Sequence, residues 1–142
     1  MTGLMRPEDL KKVTADAEMK KAEEQLQRAK KQEEEQKQLH EMFMAKEIPA
    51  DARERVNSAV RRAAEQGLNE VRVITFAASY CNDGGRRINN NEPDWPDSLE
   101  GYAKKAHAYF EKELRPLGFK IRVEILDYPG GMPGNVGLFL SW

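Results

Sequence analysis

Cys81-Asn82-Asp83-Gly84-Gly85-Arg86-Arg87 holds the densest set of groups in this chain that could do chemistry. Two consecutive glycines can turn successive backbone N–H groups toward one anion. Two arginines can grip a phosphate or carboxylate through paired hydrogen bonds. The segment is not a P-loop, because no Gly-Lys-Ser/Thr follows the glycines, and it lacks the Gly-x-Gly-x-x-Gly spacing of a dinucleotide site. The plainer alternative is a tight turn carrying two solvated arginines. Cys81 would act as a nucleophile only beside a base or in a positive neighbourhood. The two histidines, His40 and His107, both fall in helical stretches away from it, so an inert thiol is the expectation.

Asp83, Glu92, Asp94, Asp97 and Asp127 are the acids from which a general acid–base pair or a Mg²⁺ site would have to be drawn. No Asp-x-Asp or His-x-His spacing supports a metal, and no cofactor is implied. Trp95 and Tyr128, set among loop prolines, could line a pocket or cover the end of the core. Gly130, Gly131 and Asn135 belong to a second Gly/Pro-rich loop, Tyr128-Pro129-Gly130-Gly131-Met132-Pro133-Gly134-Asn135.

These groups must be positioned by the elements around them. Up to residue 47 the chain is rich in Lys, Glu, Gln and Ala, which are good helix formers, and Phe43 is its only aromatic residue. Pro7-Glu8-Asp9 opens a helix well, with acids against the positive end of the dipole. Glu8–Lys12, Asp16–Lys20, Glu24–Arg28 and Glu33–Lys37 are acid-first i,i+4 pairs, each contributing about 0.2–0.5 kcal/mol. At ~1.5 Å per residue the helix would reach on the order of 55–60 Å. A 3-4 register runs through Ala15, Met19, Ala22, Leu26, Ala29, Glu33, Gln36, His40 and Phe43. Its middle is polar where a seam wants Leu or Ile, so the expectation is a weak coiled coil or a lone solvated helix.

Ile48-Pro49 breaks that pattern, and residues 48–142 hold both tryptophans, all four tyrosines and the other phenylalanines. A second helix is predicted over 50–66, with Ala52, Val56, Ala59, Val60 and Ala63 as its apolar stripe and Gly67 as its left-handed stop. Glu70-Val71-Arg72-Val73-Ile74-Thr75-Phe76-Ala77 is β-branched and apolar enough to read as a strand covered on most of both faces. A long polar loop over 79–96 follows; such loops are usually functional or disordered. Asp97 with Glu100 offers a capping box for a third helix, whose stripe is Leu99, Tyr102, Ala103, Ala106, Phe110 and Leu114. Ile121, Val123 and Ile125 alternate with Lys120, Arg122 and Glu124 as a half-solvated strand. Val136, Leu138, Leu140 and a packed Trp142 form the last one.

The expected fold is therefore a two-layer α/β domain in the order α-α-β-α-β-β, with a small three-stranded mixed sheet, preceded by a long charged helix. The domains are 1–47 and 48–142. A strand–helix–strand crossover makes strands 70–77 and 120–127 parallel neighbours. The loops 79–96 and 128–135 then leave the same edge of the sheet, where ligands of open α/β sheets bind.

Net charge is −1 over 142 residues, which argues against a nucleic-acid binder working through Arg53, Arg61, Arg62, Arg86 and Arg87. The start, Met1-Thr2-Gly3-Leu4-Met5-Arg6-Pro7, leads into charge rather than an apolar leader, and no apolar run approaches a membrane span. One cysteine excludes an internal disulfide and fits a reducing, cytoplasmic setting. The functional expectation is a non-catalytic binding or adaptor protein. Residues 8–46 would serve self-association or docking to a protein partner. A ligand or partner site would lie at the loop edge, formed by Cys81, Asp83, Gly84, Gly85, Arg86, Arg87, Trp95, Tyr128, Gly130, Gly131 and Asn135, with a small anionic ligand as one occupant. The alternative is a small enzyme or anion-binding domain acting at the same edge.

Overall fold

The computed structural model describes residues 3–142, so the first two residues of the charged start read above lie outside it. The chain divides into two units, one ending at Glu41 and the other Met42–Trp142. Helix α1 is Pro7–Ala45, with Glu8 and Asp9 in its first turn. Residues 3–39 are all exposed, Leu10, Val13, Met19 and Leu26 among them. Helix propensity accounts for such a segment; core burial does not, and none of the four expected i,i+4 pairs, all among the described residues, closes into an ion pair.

The α/β unit begins at Met42, before the Ile48-Pro49 break, because the last turn of α1 supplies core contacts. Phe43 stacks on Phe76 at 5.6 Å and meets Tyr80 at 4.8 Å and Tyr102 at 6.3 Å. Helix α2 is Ala52–Glu65, its stripe facing the sheet. Its end forms a Schellman motif: Leu68 N donates to Ala63 O and Gly67 N to Ala64 O, with Gly67 at φ +80°.

Strands β1 (Glu70–Ala77), β2 (Lys120–Ile125) and β3 (Asn135–Ser141) make the sheet. Their order is β1-β3-β2 and both pairings are antiparallel. The expected mixed sheet with β1 beside β2 is thus corrected. The two strands do run the same way, but β3 returns from the Gly/Pro loop and lies between them. A β3 apolar at Val136, Leu138 and Leu140 is the strand most able to be covered, so it takes the centre. The register gives three inward rows: Val71–Leu140–Ile121, Ile74–Leu138–Val123 and Phe76–Val136–Ile125.

A second correction concerns β1. It is covered on one face only, with Arg72, Val73 and Thr75 exposed. The register shifts between Arg72 and Ile74, so Val73 is the extra residue of a β-bulge. The bulge moves the inward set from Val71 to Ile74 and Phe76, which is why the sequence shows apolar residues on both parities. On the solvated face Arg122 lies 4.2 Å over the Phe139 ring and bonds Glu70 (2.7 Å) and Glu124 (2.8 Å). Those bonds hold the Glu70 carboxyl below its usual range and raise the Arg122 guanidinium further.

Helix α4 is Gly101–Tyr109, continued by a π-helical turn at Phe110–Leu114 and a 3₁₀ turn to Leu117. It starts later than the Asp97–Glu100 capping box predicts. Asp97 lies in a 3₁₀ turn, Trp95–Ser98, and no side chain caps α4. Ser98 is buried, its hydroxyl donating to Trp95 O at 2.7 Å, and that closes the turn before the helix can begin. Trp142 does not pack as expected: β3 ends at Ser141, and Trp142 is 41% exposed.

Candidate functional site

Ala77 pairs with Asn135 and Ile125 with Val136, so the segments after β1 and β2 leave one end of the sheet together. The expected two-loop edge therefore forms, although β3 stands between the strands. Gly85 packs so closely that a Cβ there would lie 3.1 Å from Ala78 Cβ and 3.6 Å from both Ile125 and Pro133. Tyr128 donates its hydroxyl to Asn89 Oδ1 at 2.7 Å, joining the two loops directly. Asn135 N and its side-chain amide both donate to Asp127, which closes the second loop on itself.

The 79–96 segment is wound into short turns: a 3₁₀ turn at Ala78–Tyr80 and helix α3, Arg86–Asn89. Its donors are engaged from within. Gly85 N donates to one Asp83 oxygen at 3.0 Å and Arg87 N to the other at 3.1 Å. Gly84 N donates to Cys81 O. Arg87 pairs with Asp83 and Asp94, and Arg86 with Glu92. The cradle that two glycines offer an anion is filled by the chain's own carboxylate, and an added anion would compete with three acids. Trp95 turns inward, edge-on to His107 at 5.5 Å, and joins the core with Ile88 and Cys81 rather than the open edge. Gly130 and Gly131 remain exposed at positive φ.

Cys81 is buried, and burial pushes its thiol up to about 11, a bond with Ser98 opposing the shift and Asp83 and Glu100 adding to it. That is the wrong direction for a nucleophile. No group of three or more His, Cys, Asp or Glu among the described residues is placed to hold a metal ion.

The sequence reading missed a cavity of about 480 Å³ between α2, α4 and the inner face of the sheet. Leu138 and Leu140 of β3, Val56 and Ala59 of α2, Tyr109 of α4 and Phe110 of the π-helical turn line it. Lys46, Arg55 and Arg72 are the charged residues of its lining, and no Asp or Glu lines it. The volume follows from residue size. The α2 stripe is Ala, Val, Ala, and Ala106 faces it across the gap, so these side chains are too small to meet. Two backbone irregularities frame the same space. The β-bulge at Val73 and the π-helical turn at Phe110–Leu114 both contribute lining. Outside the lining, next to Tyr102 and Phe43, Gly101 at φ +56° lets the backbone of Met44 come so close that a Cβ on Gly101 would lie 2.8 Å from Met44 Cα. Bulges and π-turns concentrate beside functional sites. Small residues on a predicted stripe were the available signal, but patterning reports polarity and not volume.

No family model, curated protein or solved structure matches the chain. No helix among the described residues is long and apolar enough to cross a membrane.

Proposed function

We propose that this is a non-catalytic binding or adaptor protein whose α/β unit takes an apolar group into the cavity between α2 and α4. The observation that carries the reading is the convergence of a β-bulge and a π-helical turn on one largely apolar space. A volume of this size lies within the range of small-molecule pockets, roughly 300–1,000 Å³. Uptake of Nile red, a neutral apolar dye, tests it. One dye per folded chain should gain fluorescence, and Ala59→Phe should abolish the gain while its melt stays cooperative. No uptake, or uptake unchanged by filling the space, would refute the reading.

In the same proposal α1 provides association or docking. Its support is a run of exposed apolar residues, Leu10, Val13, Met19 and Leu26, on a helix with none of its residues buried. Any dimer should be weak because the middle of the stripe is polar. Sedimentation should show it lost in Leu26→Glu; a tight dimer unaffected by that change would put the interface elsewhere. On the loop edge, Tyr128 and Met132 are 52% and 69% exposed, which favours a protein partner there over a small anion.

A further inference from the structure

We infer that the cavity's ligand is an amphipathic carboxylate, an apolar chain with one anionic head held at the Lys46–Arg55 border; this rests on the cavity being the binding site. The charge of the lining selects the class. The walls are apolar, the only charged side chains on the border are cationic, and carboxylates are absent from the lining. Lys46 carries its ammonium 4.3 Å from the centre of the Tyr102 ring and forms no ion pair with another described residue. Arg55 is bonded to Asp51 at 3.0 Å, on a side chain 68% exposed, so it keeps donors free for a second acceptor. The hydroxyls of Tyr102 and Tyr109 make no hydrogen bond within the described residues, and both residues line the space. Lys46, Arg55 and the hydroxyls of Tyr102 and Tyr109 can all donate, and a carboxylate is a small head group that accepts from several donors at once.

Size sets the chain. At about 30 Å³ per water-sized group, the cavity takes on the order of fifteen non-hydrogen atoms, which is the scale of dodecanoate. A cationic head would meet Lys46 and Arg55 with like charge, and a neutral head would gain no ion pair from them.

The experiment titrates the full chain with dodecanoate, dodecyltrimethylammonium and dodecan-1-ol, each below its aggregation or solubility limit. Calorimetry and amide NMR shifts are the readouts. Dodecanoate should bind one per chain, with shifts concentrated at 46–59 and 101–114. Lys46→Gln should weaken it about tenfold, the effect of losing one charge-assisted bond, and should leave dodecanol unchanged. Ala59→Phe should abolish binding; if that variant fails to fold, Ala106→Leu tests the same space from the opposite wall. Equal binding of all three amphiphiles at these amides would overturn the carboxylate class while leaving the cavity reading intact. Binding of none, or shifts scattered outside these segments, would overturn both.

Discussion

Removing the Phe43 ring should destabilise the α/β unit even though the residue belongs to the long charged helix. The ring touches Phe76, Tyr80 and Tyr102 and is half-buried. A fully buried Phe→Ala costs about 3–5 kcal/mol. Partial exposure lowers that figure, and the loss of aromatic pairs worth roughly 0.5–1.5 kcal/mol each raises it. Phe43→Ala should therefore cost about 2–3 kcal/mol. For a domain near 100 residues this corresponds to a fall in Tm of roughly 10–20 °C. Leu39→Ala is the control: one turn earlier and 57% exposed, it should stay within about 0.5 kcal/mol. Ala is the better helix former at both positions, so a helix held by propensity alone would be slightly stabilised by either change. Thermal melts followed by circular dichroism, with urea titration for the free energy, separate the cases. Equal melts for Phe43→Ala and the unaltered protein would refute the packing argument and return the domain start to Ile48.

Gly101→Ala combines a left-handed φ with a collision against the Met44 backbone and should cost about 2–4 kcal/mol by urea denaturation. Gly118→Ala, at φ +101° with open space around it, should cost only about 1 kcal/mol, and equal costs would show that the collision is relieved. Cys81 should resist a thiol reagent at pH 8 in the native state and react quickly in urea, because burial holds it protonated; native labelling at the unfolded rate would contradict its placement. His107 has its pKa lowered below 6.5, chiefly by burial, with Arg115 assisting and Glu111 and Asp97 opposing. The unfolded chain then takes up the proton first, so stability is complete above about pH 6.5 and declines as pH falls below it. His107→Gln should flatten that decline between pH 7 and 5, and an unchanged pH profile would exclude His107 as its source.

What the sequence determined by itself was local. Pro7-Glu8-Asp9 and an uninterrupted run of helix formers dictate α1, because helix propensity and the dipole act within a few residues. Gly67 stops α2 where its left-handed conformation is needed, and the alternation of Ile121, Val123 and Ile125 gives β2 its covered face. The shared loop edge was also legible, since two strands joined by a helix run in the same direction whatever lies between them. Strand order was decided only in three dimensions: β3 takes the centre because it has the most apolar surface to cover, a competition among strands distant in sequence. The bulge at Val73 was hidden for the same reason, its partner row being Leu138 and Phe139. At the candidate sites the limit was pairing and volume. The residues Gly84, Gly85, Arg86 and Arg87 read as either an anion cradle or a tight turn, and backbone winding turns the Asp83 carboxylate onto Gly85 N and Arg87 N. The small residues Ala52, Ala59 and Ala106 read as core, yet the separation of α2 from α4 leaves a cavity between them that no single stripe could announce.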